Sequence, residues 1–144
     1  MATEEPIQFV LPKSSRGEKP EDNNIVALAE NYLKTLPDIG SKGVFNLTYT
    51  GYAIETTPYQ ALFMATNRTG ETIDDFSFVL DLKIGEQIIW QKTLFRFPKE
   101  EFGAIPANSS MPILISVPTG KETDLLKATN DNIQISLSQL QKLA

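Results

Sequence analysis

The sequence predicts an antiparallel, immunoglobulin-like β-sandwich with one short amphipathic helix near its N-terminus. Three observations carry this prediction. The apolar residues recur with the period of a helix only once, before Pro37, and with the period of a strand over most of the chain after Gly43. Turn-forming clusters divide the β region into short segments, as in a sandwich. The 144 residues, 41% of them hydrophobic, are enough for one domain with a single core.

The N-terminal part begins with a weak strand pattern. Ile7, Phe9 and Leu11 alternate with their neighbours, which is consistent with a short edge strand. Residues 12–24 are polar, charged and turn-forming without a periodic apolar set, so we interpret them as a linker.

One amphipathic helix follows the linker. Its apolar face consists of Ile25, Leu28, Ala29, Tyr32, Leu33 and Leu36. An Asp or Asn among residues 22–24 can cap its start, and Pro37 with Gly40 ends it. We expect this helix to pack at one edge or end of the sandwich. The sequence thus divides into an N-terminal segment, 1–42, and a β-sandwich domain, 43–144, within one globular unit.

Six strands are predicted in the β region, and the N-terminal edge segment makes seven. Phe76–Ile84 is the clearest of them, because its apolar residues alternate with mostly polar ones. The six predicted strands are Val44–Ala53, Tyr59–Thr66, Phe76–Ile84, Ile88–Phe97, Ile113–Val117 and Ile133–Leu137.

The turn after Ile84 leaves two registers open for the hairpin that it closes. A two-residue loop pairs Leu82 with Ile89, whereas a three-residue loop pairs Ile84 with Ile88 and Leu82 with Trp90. We favour the three-residue loop, because it aligns more apolar side chains on one face.

The composition argues against several classes of function. The chain has no Cys and no His, so it lacks thiolate nucleophiles, the usual soft metal ligands and the commonest general base. We therefore expect no enzyme, with no catalytic residue, metal site or cofactor. The net charge of -5, with scattered basic residues, predicts no nucleic-acid binding. No apolar run approaches the roughly 18 residues of a membrane span, and the acidic start "MATEEPIQF" lacks a signal-peptide pattern, which predicts a cytoplasmic protein.

Two groups of carboxylates are weak candidates for a site. Glu71, Asp74 and Asp75 can offer oxygen ligands to calcium, but they lack the spacing of an EF-hand loop, and we favour solvated turn charges. Glu100 and Glu101 are adjacent, and adjacent side chains on an extended chain point apart, which makes a poor acid–base pair.

Two short motifs also have plain structural explanations. Asn46, Asn67 and Asn108 begin N-glycosylation patterns, but Asn, Ser and Thr are also common turn residues. The stretch "PTGKET" contains a Gly-Lys pair, yet Glu122 stands where a phosphate loop needs a hydroxyl, so we predict a surface turn.

The stretch "FGAIPANSSMP", which begins at Phe102, predicts a corner between two strands. Phe102 can plug one end of the core, Gly103 allows the chain to turn, and Ile105-Pro106 holds an extended crossing. Residues 108–110 then form a turn, and Pro112 starts the next strand at a position that needs no ladder donor.

Four aromatic residues lie on one predicted strand and in the corner after it: Trp90, Phe95, Phe97 and Phe102. Burial in the core is the interpretation we favour, because a sandwich needs several large side chains between its sheets. An exposed patch that binds a partner is the alternative.

The corner and the strands before it resemble the surface-layer assembly protein domain (SLAP domain) of Gram-positive bacteria. The resemblance covers about Val44–Pro118 and is carried by "ALFMATNRTGETIDDFSFVLDLKIGEQ" followed by "IWQKTLFRFPKEEFGAIPANSSMPILISVP". The positions that match the family pattern are Lys92 with Phe95, then Phe102, Gly103, Ile105, Pro106, Ser109 and Pro112.

The resemblance implies a role for this protein and a kind of partner. It implies an accessory, non-catalytic function in the export or assembly of surface-layer proteins, together with a dedicated secretion ATPase on the cytoplasmic side. The expected partner is a protein, either secretion machinery or a surface-layer client. The alternative is a structural or oligomerisation module, and the sequence leaves the partner, the binding edge and the oligomeric state open.

Overall fold

The computed structural model describes a mainly β chain. It covers residues 7–12, 24–35, 39, 43–55, 59–129 and 131–142. The described helices are α1 (Asn24–Thr35), α2 (Lys99–Phe102) and α3 (Glu122–Leu126). The strands are β1 (Gln8–Phe9), β2 (Phe45–Ile54), β3 (Gln60–Asn67), β4 (Phe76–Ile84), β5 (Gln87–Phe97), β6 (Ser109–Ser116) and β7 (Ile133–Lys142).

The strands form two sheets that share one core. Sheet 1 has the order β1-β6-β3-β2 and sheet 2 the order β5-β4-β7. All pairs are antiparallel except β1 with β6. Rings from opposite sheets meet in the core, with Phe45 5.3 Å from Phe76 and Phe63 5.9 Å from Trp90 between ring centroids. The apolar faces of the sheets therefore pack on one another, as in the two layers of a sandwich.

Helix α1 packs on the outer face of sheet 1, which corrects the expectation of a helix at an edge or end. Ala29 and Leu33 lie in a second buried cluster with Leu62 and Met64 of β3. Ala61, Phe63 and Ala65, which alternate with these two residues on β3, belong to the inter-sheet core instead, so β3 is covered on both sides. The unbroken apolar run "ALFMA" explains this position, because a strand without polar alternation must be buried on both faces.

Strand β6 begins at Ser109, so the prediction that Pro112 starts this strand is wrong. Ser109 and Ser110 pair with β1 on one side and β3 on the other, and both are buried. Val117 donates its N–H to Tyr59 O, so these two residues form a hydrogen-bonded pair of the β3–β6 ladder. Hydrogen-bonded and non-hydrogen-bonded pairs alternate along an antiparallel ladder, and Pro112 therefore belongs to a non-hydrogen-bonded pair with β3. Its nitrogen faces away from β3, and the missing donor costs that ladder nothing.

The β4–β5 hairpin combines the two predicted registers. A two-residue turn pairs Ile84 with Gln87, so the predicted pairing of Ile84 with Ile88 is wrong. The register then shifts by one residue, and Leu82 pairs with Trp90 as expected. The shift leaves Ile89 as an extra residue, which allows both Ile89 and Trp90 to be buried although they are consecutive.

Candidate functional site

The predicted corner is a short helix followed by a crossing strand segment. Phe102, at the end of α2, is half-buried and stacks on Phe97 with ring centroids 4.7 Å apart. Gly103 adopts φ 77° and donates its N–H to Lys99 O at 2.8 Å, a conformation that favours glycine. Ile105 is fully buried and exchanges backbone hydrogen bonds with Ile73 at 2.8 and 3.1 Å.

Asn67 ties this corner to the turn after β3. Its side chain is fully buried, and its Nδ2 donates to Ile105 O at 2.9 Å and to Glu71 O at 2.6 Å. Its Oδ1 accepts hydrogen bonds from the N–H and Oγ1 of Thr69 at 2.9 and 2.7 Å. Sequence reasoning recognised a turn here but missed the link to the corner, which joins residues 38 positions apart. The same burial leaves the Asn67 amide no room to accept a glycan.

The residues of the family corner motif mostly serve packing. Gly103, Ile105, Ser109 and Pro112 are buried, and the Thr66 and Ser110 hydroxyls form a buried hydrogen bond of 2.9 Å beside them. Besides the half-buried Phe102, only Pro106 of the motif retains partial exposure. The motif therefore shapes one end of the fold rather than presenting a contact surface.

The four candidate aromatic residues divide into two pairs. Trp90 and Phe97 are 4% and 3% exposed and belong to the core between the sheets. Phe95 and Phe102 are half-buried against the same core. A partner can therefore reach only Phe95 and Phe102 without a rearrangement of the core, and their role in binding stays a prediction.

The candidate carboxylates are distributed over a turn and a helix rather than gathered in a pocket. Asp74 contacts two lysines, Lys142 Nζ at 2.6 Å and Lys99 Nζ at 3.7 Å. The hydrogen bond from Lys142 lowers the pKa of the Asp74 carboxyl, and the same bond raises the pKa of the Lys142 ammonium. Asp75 Oδ1 accepts the Lys99 N–H at 3.1 Å. These contacts fasten the end of β7 to the start of α2, which is a structural use of the charges.

The described residues contain no group of three or more acidic side chains arranged to hold a metal ion. Glu100 and Glu101 lie exposed on α2, and Glu71 is exposed in the turn after β3. In the "PTGKET" stretch, Gly120 has φ 92° and donates its N–H to Glu122 Oε1 at 2.8 Å. That stretch is therefore a turn that leads into α3.

Three of the sheet edges contain bulges. In β2 the register shifts between Tyr49 and Ala53, around Gly51 at φ 90°. In β5, Lys92 has φ 46° and donates its N–H to Asp81 Oδ1 at 2.9 Å across the bulge. In β7 the residue with positive φ at the register shift is Gln139, at φ 51°. Such bulges twist an edge and hinder pairing with a second sheet.

Before its bulge, β7 presents a regular edge, here termed the free edge, that pairs with no described strand. Gly85 donates its N–H to Asn132 O at 2.7 Å, which places that pair among the hydrogen-bonded pairs of the β4–β7 ladder. Because such pairs alternate, the N–H and C=O groups of Ile133, Ile135 and Leu137 point away from β4. No described strand lies on that side of β7.

An apolar groove runs between this edge and β2 of the opposite sheet. Val44, Phe45, Leu137 and Leu140 line it, and its volume is about 280 Å³. Val44 and Leu140 are 44% and 45% exposed, so two of the apolar side chains that line the groove are accessible from outside. Sequence reasoning missed the groove because it ended β7 at Leu137, before the bulge and Leu140.

A second depression lies on the outer face of sheet 2 and has a more polar lining. It has a volume of about 220 Å³, and Asp81, Lys83, Gln134 and Ser136 contribute to its walls. The Asp81 carboxylate is already engaged by the Lys92 N–H. No second acid lines this depression, so its geometry does not provide an acid–base pair.

Comparison of the chain with protein-family models, with curated proteins and with solved structures gives no match. Within the described ranges, no helix has the length and apolar character needed to cross a membrane.

Proposed function

We propose that this protein is a non-catalytic module that binds another polypeptide by adding a segment of it to a sheet edge as an extra strand. The observation that carries the proposal is the free edge of β7 beside the apolar groove. Unpaired backbone groups supply affinity in this mode of recognition, and adjoining pockets for alternate side chains supply specificity.

We further propose that the two sheets form an immunoglobulin-like sandwich. The pairing of β3 with β6 and of β4 with β7 supports this, since the links β3–β4 and β6–β7 each pass from one sheet to the other. With β2 counted as the first strand of the immunoglobulin fold, β3 and β6 correspond to its second and fifth strands, which pair with each other. In the same way β4 and β7 correspond to its third and sixth strands, which also pair. That fold has one more strand beyond the position of β7, on the side where no described strand lies.

The composition and the placement of the carboxylates support a non-catalytic role. The sequence has no His and no Cys, and Asp74, Asp75 and Asp81 are engaged by lysine side chains or backbone N–H groups. Acid–base chemistry needs titratable groups that converge in a cavity.

The resemblance to the SLAP domain supports an accessory role in the secretion or assembly of bacterial surface-layer proteins, on the cytoplasmic side. Its corner residues are mainly buried, so the resemblance speaks for a shared architecture more than for a shared contact surface. The polypeptide bound is then a component of the secretion machinery or a surface-layer client.

A structural or oligomerisation module is the second candidate. The burial of Trp90 and Phe97 favours it, because it removes two of the four aromatic residues from a partner-binding surface. The bulges in β2, β5 and β7 speak against oligomers built by continuous sheet pairing.

A pull-down from the lysate of a Gram-positive bacterium separates the two candidates. We expect the immobilised wild-type protein, but not the empty matrix, to retain secretion or surface-layer proteins identified by mass spectrometry. Recovery of only its own copies, at twice the 16.0 kDa monomer mass, would reject the proposal in favour of the second candidate. Phe102→Ala, used only if its circular dichroism matches wild type, tests whether the half-exposed Phe102 ring contributes.

A further inference from the structure

We infer that the free edge of β7 and the groove between β7 and β2 together form the binding site for an extended segment of a different polypeptide. That segment alternates apolar with small polar residues and carries basic residues after its C-terminal end. The inference rests on the proposed function and specifies the site and the chemistry of the partner.

The hydrogen-bond pattern of β7 sets the register of the incoming segment. Ile133, Ile135 and Leu137 direct their N–H and C=O groups outward, while their side chains pack against the core. A segment antiparallel to β7 forms hydrogen-bonded pairs with these three residues. Opposed residues in a sheet place their side chains on the same face, so every second side chain of the segment points toward β2.

The groove dictates that these inward side chains are apolar. It lies at the Leu137 end of the free edge and is bounded by Val44, Phe45 and Leu140. Its volume of about 280 Å³ exceeds the roughly 150 Å³ of a cavity that holds benzene, so one or two branched side chains fit. A charged side chain there would lose part of its hydration to a mainly apolar lining, whose polar members, Thr69 and Ser138, carry no charge.

The other side chains of the segment lie beside Gln134 and Ser136 on the outer face of sheet 2. No charged residue occurs on β7 before Lys142 or anywhere on β2, so the central part of the segment meets no charge on these strands. Small polar residues therefore suit these positions.

The charges at the start of β7 indicate the basic end of the segment. Asp131 lies two residues before β7, and Glu86 follows Gly85, whose N–H bonds to Asn132 O; both acids are exposed. An antiparallel segment brings its C-terminal end to this place. Two exposed lysines, Lys83 opposite Gln134 and Lys127 beside Asn132, also lie near this end, so the preference for basic residues rests mainly on the net charge of -5.

A second copy of the chain fits this site less well than a free segment. The side chains of Ile133, Ile135 and Leu137 in a second β7 are packed in their own core and cannot also fill the groove. Gln139, in the bulge at φ 51°, also bends the end of β7 out of register.

The test uses a fluorescein-labelled peptide that alternates threonine with three valines and ends in two lysines, titrated with the full chain by fluorescence anisotropy. Two matched control peptides carry backbone N-methyl groups, one on the three valines and the other on three threonines. We expect binding by the parent and by the threonine-methylated peptide, and a loss of about tenfold or more when the valines are methylated, because only their N–H groups face β7.

Leu140→Glu is the site variant and Leu94→Glu its control. Leu140 is 45% exposed beside the groove, whereas Leu94 is 53% exposed on β5, the opposite edge of sheet 2. Both substitutions replace an exposed leucine, so both variants should fold. We expect Leu140→Glu to weaken peptide binding by about tenfold or more, and Leu94→Glu to leave it within about twofold.

Amide hydrogen exchange supplies a residue-level readout. The bound peptide should slow exchange at Ile133, Ile135 and Leu137, whose N–H groups face it, and change little at Gln134 and Ser136, whose N–H groups already bond to β4.

Three results would overturn the inference. Peptide binding that is equally strong in Leu140→Glu would exclude the groove from the site; if exchange at Ile133, Ile135 and Leu137 were also not slowed, strand addition would lie at another edge and the proposed function would stand. No binding at about 1 mM peptide would reject this site, while the pull-down decides independently on the proposed function. A wild-type dimer that Leu140→Glu converts to monomer would assign the groove to a second copy.

Discussion

Replacement of Asn67 by alanine tests whether its buried amide holds the corner in place. The substitution removes the two hydrogen bonds from Nδ2 to Ile105 O and Glu71 O, and the two that Thr69 donates to Oδ1. Ile105 O keeps its bond from the Ile73 N–H at 3.1 Å, and the Thr69 hydroxyl, released from Asn67 Oδ1, can donate to Glu71 O, which lies 3.1 Å away. The loss is therefore smaller than four unsatisfied groups would give.

At about 1 kcal/mol for each of roughly three effective bonds, we expect the free energy of unfolding to fall by about 3 kcal/mol. This is a large part of the roughly 5–15 kcal/mol that stabilises a domain. At about 2–4 °C per kcal/mol, the melting temperature should fall by roughly 10 °C.

Urea unfolding followed by tryptophan fluorescence measures the effect, since Trp90 is buried in the core. Asn31→Ala is the control, because Asn31 lies exposed on helix α1 and its replacement should change stability by no more than about 0.5 kcal/mol. If Asn67→Ala cost no more than Asn31→Ala, the Asn67 amide would not be a stabilising link between turn and corner.

Three further predictions follow from the packing and the charges. Tyr49→Phe should leave stability unchanged or raise it by up to about 1 kcal/mol, because the Tyr49 hydroxyl is buried and contacts no hydrogen-bond partner among the described residues. A clear decrease in the melting temperature of Tyr49→Phe would show that the hydroxyl has a partner. Leu62→Ala should cost about 2–5 kcal/mol and speed amide exchange in α1, since Leu62 is 1% exposed beneath that helix; exchange in α1 equal to wild type would contradict the packing. The pKa of Asp74 is lowered in the folded state, so its contribution to stability is present above its unfolded pKa of about 3.9 and disappears as the pH falls through the lower, folded pKa. The difference in melting temperature between wild type and Asp74→Asn should therefore shrink below about pH 4, and a difference that grew on acidification would refute the Lys142–Asp74 interaction as its source.

The local pattern of the sequence determined the class of secondary structure and several element positions. The alternation in Phe76–Ile84 predicts the bounds of β4 as observed, because a strand with one wet face shows its period directly. The helical spacing places α1 correctly, and Gly103 marks a real turn at positive φ. These features depend on short-range sterics and on the burial of one face, which the chain encodes within a few residues.

The tertiary structure alone decided how these elements combine. Ser109 and Ser110 read as turn residues in the sequence, yet they are strand residues because β1 and β3 bond to them from both sides. Asn67 joins the corner across 38 residues, and Leu140 reaches the groove only after a bulge in β7. Strand limits, bulges and grooves depend on backbone groups and side chains supplied by distant segments, and no local period records which distant segment will supply them.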